Sequence, residues 1–127
     1  MARMSRLEFE GYKELVTSDS TLEILHGDSP DAISKLGADM AVYYARVACE
    51  LAVVKDMELE EFLRLTKSKE DGGLGMKIGE AEKMAESNVN KSAQVSRRDL
   101  DYLMKGMDAI KFAAQSRITS FKKEGNY

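Results

Sequence analysis

Between Pro30 and Lys67 the chain holds no further proline, and apolar side chains recur at Leu36, Met40, Tyr43, Val47, Leu51, Val54, Phe62 and Leu65. With Glu58 as the one polar member, the steps are 4, 3, 4, 4, 3, 4, 4 and 3. That is the spacing of one face of an α-helix. Ser29 suits an N-cap, Pro30 the first turn, and Asp31 the positive end of the helix dipole. Gly37 is a mild fault near the start. A mean step of about 3.6 lies between the heptad and hendecad periods and predicts little supercoiling. At about 1.5 Å per residue, a helix from Pro30 to Lys67 would be about 57 Å long. A compact domain of this size has a diameter of roughly 36 Å. The rod outreaches the globule that would have to contain it.

A second stripe runs through Ser96, Leu100, Leu103, Met107, Ile110, Ala114, Ile118 and Phe121. It predicts another rod, over 92–123, of nearly 50 Å. Gly106 lies inside it at a cost of about 1 kcal/mol against alanine. Either a close helix contact or a tolerated weak spot explains it. Between the rods, SKEDGGLG (68–75) reads as a flexible Gly-rich loop that supplies a C-cap. A short helix follows over 76–87, with Ile78, Ala81, Met84 and Ala85 on one side. NVNKS (88–92) reads as a turn or as the entry to the last helix, and EGNY as a frayed end. In the first 28 residues, RLEFEGYKELV is a short helix with Leu7, Tyr12, Leu15 and Val16 inward. Its alternation Leu7-Glu8-Phe9-Glu10 also suits the start of a strand. SDSTLEILHG suits another short helix ending at Gly27.

The expectation is a single all-α domain. Residues 29–67 and 92–123 form an antiparallel hairpin, with the N-terminal 28 residues as short helices or an arm. A hairpin leaves one apolar flank of each helix uncovered. Val42, Tyr44 and Met57 on the first helix, with Met104 and Phe112 on the second, lie off the main stripes. Such flanks mark an interface, and the expected partner is another copy of the chain. In the alternative, the N-terminal segment folds back and completes a four-helix monomer.

Several function classes are excluded by composition. One cysteine (Cys49) and one histidine (His26) leave no disulfide framework, no Cys-rich zinc site and no ready catalytic triad. No run of about 18 apolar residues would span a bilayer. MARMSRLEFEGYKEL has two arginines but no apolar core behind them, so no secretory signal is expected. The reading is a cytoplasmic protein that is not an enzyme and takes no cofactor. The acidic run Asp56, Glu58, Glu60, Glu61 lacks the Glu-x-x-His motif of di-metal bundles and reads as a solvated or inter-subunit charge surface, with no metal. GGLG lacks the Gly-Lys-Ser/Thr ending of a phosphate loop. Cys49 reads as a small packed side chain.

The net charge is −3, from 19 basic and 22 acidic residues, but it is unevenly spread. Residues 1–29 carry three basic and six acidic groups, whereas Lys91 to Tyr127 carries eight basic and four acidic ones. Arg64, Lys67 and Lys69 ring the end of the first long helix, Lys77 follows the glycines, and Lys91, Arg97 and Arg98 cluster before or at the start of the last. A hairpin places both regions at one end of the molecule, as a basic tip. Alone, such a tip binds a polyanion weakly; a ring of tips gains by multivalency. Tyr102 is the only ring nearby on which a base would stack. A solvated helix face is the alternative.

A long helix, a Gly/acidic loop, a short Glu/Ala helix and a final helix containing MDAIKFAAQSRITSF resemble the UvsY-type recombination mediators of tailed phages. The local match is Asp108-Ala109-Ile110-Lys111 followed by Arg117, within an order of elements that matches over about 36–121. The resemblance implies a small, helical, ring-forming protein that binds single-stranded DNA. Such a protein helps load a recombinase while single-strand-binding protein is displaced. The family's DNA-contacting residues lie near the end of the first long helix. Here that stretch is ELEEFLRLTKSK, with Glu60 and Phe62 at those places and Arg64, Lys67 and Lys69 following. The expected DNA-binding set is Arg64, Lys67, Lys69, Lys77, Arg97 and Arg98. A second reading is a helical interaction protein, an inhibitor or adaptor of a host protein, without nucleic-acid binding. A third is a small virion assembly protein.

Overall fold

The computed structural model describes residues 3–125; Asn126 and Tyr127, the close of the predicted frayed end, lie outside them. The described residues form helices joined by short turns and contain no strand: α1 (Arg6–Thr17), α2 (Asp19–Leu25), α3 (Pro30–Thr66), a 3-10 turn (Lys69–Asp71), α4 (Ile78–Ser92) and α5 (Arg97–Lys123). Serine starts four of the five α-helices. The side chains of Ser5, Ser18, Ser29 and Ser96 each accept a bond from a backbone N–H of the first turn, satisfying donors that a helix start otherwise leaves open. Ser96 and Asp99 go further and form a reciprocal capping box.

Both long stripes face inward. Leu36, Met40, Val47, Leu51 and Val54 of α3 and Leu100, Leu103, Met107, Ile110 and Ala114 of α5 share one buried cluster. Their packing is located by two contacts. Arg97 at the start of α5 meets Glu58 in the last third of α3 at 2.8 Å, and a Cβ on Gly37 near the start of α3 would lie 3.3 Å from Ala114. The break in the α3 stripe, Glu58, stands where that ion pair forms.

The boundary of the fourth helix differs from expectation. α4 continues through NVNKS to Ser92 because Val89 is buried in the main core. The chain breaks instead at residues 93–96, where Val95 is buried and Ser96 caps α5. α4 packs along the last third of α3, and Leu65, Ala81 and Ala85 form a second, smaller core there with Phe62 and Met76 against it. One long helix thus carries two shorter ones, α5 up to Glu58 and α4 from there toward Leu65.

The N-terminal segment folds back along the long helices, and the strand alternative does not occur. Phe9 is buried, and Tyr12 and Val16 pack against the main core. Leu7, expected inward, is 84% exposed, because the buried face runs Phe9, Tyr12, Val16 and Leu7 lies off it. Arg46 of α3 donates to both carboxylate oxygens of Glu8, at 3.0 and 3.1 Å, and Tyr12 sits 5.5 Å from the Tyr43 ring, centroid to centroid. Arg6 reaches Asp99 of α5 at 2.9 Å. Gly106 is the closest approach: a Cβ there would collide with Cγ1 of Val16. Of the two explanations for that glycine, the close contact holds. Glu50 fastens the segment in front of α1. Its carboxylate is buried and accepts from Arg3 Nε at 2.5 Å and from the Met4 backbone N–H at 3.2 Å.

Candidate nucleic-acid interface

Of the six basic residues expected to meet DNA, Arg64 lies in the last turn of α3 and the other five divide into two sets. Along α3, the eight steps from Glu58 to Thr66 span about 12 Å at ~1.5 Å per residue. Arg97, held by Glu58, therefore sits well back from the end of α3, and Arg98 follows it on the first turn of α5. The intervening length of α4 separates them from the loop, so the single basic tip expected from a simple hairpin is split. Arg64 and Arg97 are also engaged already. Arg64 Nε lies 2.5 Å from Glu61 Oε1, and Arg97 Nη1 lies 2.8 Å from Glu58 Oε2.

The other set is Lys67, Lys69 and Lys77, all exposed and with no ion-pair partner among the described residues. Backbone bonds bring them together. Gly73 N–H donates to Ser68 O at 2.9 Å, Gly75 N–H to Lys67 O at 2.8 Å and Met76 N–H to Leu65 O at 2.8 Å. The loop thus doubles back on the end of α3, and Lys77, the N-cap of α4, is drawn beside Lys67, the C-cap of α3. Gly72 and Gly75 take φ of 88° and 63°, a region that side chains disfavour. At Gly73 a Cβ would collide with the Lys67 carbonyl. The turn expected to be flexible is a hydrogen-bonded one, and α3 is capped by Lys67 rather than by glycine. Two acids share the loop. Asp71 accepts from the Ser68 hydroxyl at 2.8 Å, and Glu70 is exposed.

The residues that carry the family resemblance have internal partners. Ile110 is buried, Lys111 pairs with Asp108 at 3.6 Å and lies 4.9 Å from the centre of the Tyr44 ring. Arg117 donates to the Gly27 carbonyl at 2.5 Å and lies over Phe121, tying α5 to the end of the N-terminal segment. Of the expected interface residues, Val42 and Phe112 are exposed, at 66% and 71%. Tyr44, Met57 and Met104 pack partly against the chain's own core, and Met57 Sδ accepts from Arg3.

Two groups titrate away from their ordinary values. Burial pushes the Asp99 carboxyl up, but the capping-box bonds from Ser96 and the Arg6 guanidinium outweigh it and hold Asp99 below the usual carboxylate range. Burial and the neighbouring Glu8 carboxylate raise the Tyr12 phenol. The buried role of Glu50 was overlooked in reading the sequence, yet its signal is present: Val47, Glu50 and Val54 are spaced by three and four, the period of the core. Cys49 is exposed rather than packed. No helix among the described residues is long and apolar enough to cross a membrane. No protein-family model, curated protein or solved structure matches the chain.

Proposed function

We propose that the chain is a recombination mediator of the UvsY type. It is a non-enzymatic helical protein of the phage-infected cytoplasm that self-associates and binds single-stranded DNA through its phosphates. It assists recombinase loading as single-strand-binding protein is displaced. The observation that carries this reading is the loop at the end of α3. Three exposed lysines without ion-pair partners, Lys67, Lys69 and Lys77, are gathered by a turn whose backbone is fixed by its own hydrogen bonds. Ammonium groups without bidentate geometry favour backbone contacts over base readout. Arg98 adds a further exposed cation on α5; Arg64 and Arg97 join only by leaving Glu61 and Glu58.

With Glu70 and Asp71 in the same loop, one tip attracts DNA weakly. Useful affinity requires several tips on one strand. In this reading α3 and α5 are the arms of an antiparallel hairpin, and subunits meet through Val42 and Phe112. Tyr44 and Met104 extend that contact.

The test is fluorescence anisotropy of a labelled oligonucleotide. Binding at low salt that weakens as salt rises, and that is lost in K67E/K69E/K77E, supports the reading; no binding at low salt removes it. The engagement of Arg64 and Arg97 by acids favours the helical adaptor as the second reading. Capture of a protein partner that survives the same triple reversal, without DNA binding, would establish it.

A further inference from the structure

Toward the loop, beyond the Arg97–Glu58 pair, α3 and α4 pack on each other around the smaller core, and one side of that pair is open. A groove of about 490 Å³ runs between α3 and α4 up to the start of α5. Phe62 and Ala85 line it, with Leu59 beside them 55% exposed; Leu63 and Ile78 continue the apolar surface toward the loop, 56% and 66% exposed. Two helices cannot enclose a core, and an apolar face of this kind is ordinarily covered.

The charges on the groove say what covers it. Its α3 rim carries Lys55 and its α4 rim carries Glu82 and Glu86. All three are exposed and without an ion-pair partner among the described residues. Basic on one edge and acidic on the other, the groove is complementary to its own image turned through a half rotation. On its wall, Glu58 gives Oε2 to Arg97, while Oε1 is buried with no hydrogen-bond partner among the described residues.

We propose that the groove seats a second copy of the chain, the two tips side by side about a two-fold axis parallel to their helices. The α3 of each copy then lies against the α4 of the other, and the tips complete a four-helix core. Leu59 and Leu63 of one copy meet Ile78 of the other, and Lys55 faces Glu82 and Glu86 in two equivalent contacts. This surface is separate from Val42 and Phe112, and the contact does not depend on DNA.

The experiment measures mass by light scattering on the full chain at micromolar concentration, without DNA. Circular dichroism checks that each variant keeps its helix content. L59E/L63E alters only exposed side chains and is expected to halve the mass of the wild-type particle. K55E alone and E82K/E86K alone each set like charges against each other twice and are expected to halve it too. Mixing those two variants restores attraction at both contacts, and the mixture is expected to return to the wild-type mass. An unchanged mass in L59E/L63E, or a K55E and E82K/E86K mixture that stays at half mass, overturns the proposal. Loss of DNA binding in the loop-lysine variant with the mass intact would leave this contact standing, and the converse would leave the DNA reading standing.

Discussion

Replacing Gly106 by alanine sets two effects of opposite sign against each other at one atom. Gly106 lies inside α5, where alanine is favoured by about 1 kcal/mol through helix propensity. The new methyl would collide with Cγ1 of Val16, whose Cβ and Cγ2 also lie within 3.6 Å. Valine in a helix is confined almost to one rotamer, so relief requires α1 to shift. Overpacking of this kind typically costs about 1–3 kcal/mol. The net expectation is a loss of about 0–2 kcal/mol. In a V16A background the obstacle is gone and only the propensity gain remains, so the same substitution should stabilise by about 1 kcal/mol. The two changes are thus coupled by about 1–3 kcal/mol in a double-mutant cycle. Urea unfolding of the four proteins at one protein concentration measures this. With a urea m value of about 1.5 kcal/mol/M, a 1 kcal/mol change moves the midpoint by about 0.7 M. A G106A protein more stable than wild type, with no dependence on residue 16, would show that α1 does not press on α5.

Glu50→Ala should destabilise by about 1–3 kcal/mol, because it leaves the buried Met4 N–H without an acceptor. Hydrogen exchange at the Met4 amide should accelerate, with a smaller change in Glu50→Gln, which keeps an acceptor oxygen. Asp99 has a folded pKa below its unfolded value of about 3.9. It binds fewer protons folded than unfolded, so its contribution is complete above about pH 4–5 and is lost as pH falls through the folded pKa. Asp99→Asn should therefore flatten the acid limb of a plot of urea midpoint against pH, and an unchanged limb refutes the assignment. If Lys67, Lys69 and Lys77 contact phosphates, each neutral replacement should reduce the slope of log affinity against log salt by about 0.7 for a single strand. An unchanged slope places the contacts elsewhere.

The long helices were legible because their cores repeat at the helical period over many turns, and a slip of one residue would have rotated every stripe member by about 100° off the core. Short segments offer no such redundancy. With three turns to read, Leu7 looked as suitable for the inner face as Phe9, and the choice was made by contacts with Tyr43, Arg46 and Asp99, far away in sequence. The end of α4 was obscured by Asn88, Asn90 and Lys91, polar residues around the buried Val89 of which only Lys91 is exposed. The better signal was the Ser96–Asp99 pair, a helix start written in four residues. The basic site was misjudged through a length: the cations at 64–77 and 97–98 coincide only if the intervening helix is ignored. The glycine turn is held by backbone bonds from Gly73, Gly75 and Met76 back to Ser68, Lys67 and Leu65, and its need for glycine at 73 comes from the close pass to the Lys67 carbonyl, neither of which the GGLG string reveals.

The two unequal cores on α3 give the molecule two strengths. The larger one gathers residues from α1, α2, α3, α4 and α5, whereas the smaller rests on Leu65, Ala81 and Ala85 with Phe62 and Met76 at its edge. Regions with few buried apolar contacts open at lower free energy than the whole. In a lone subunit the outer end of α3 should fray from α4 on warming while the base of the rod stays closed, and a second copy seated in the groove would hold that end, and the loop lysines with it, in place.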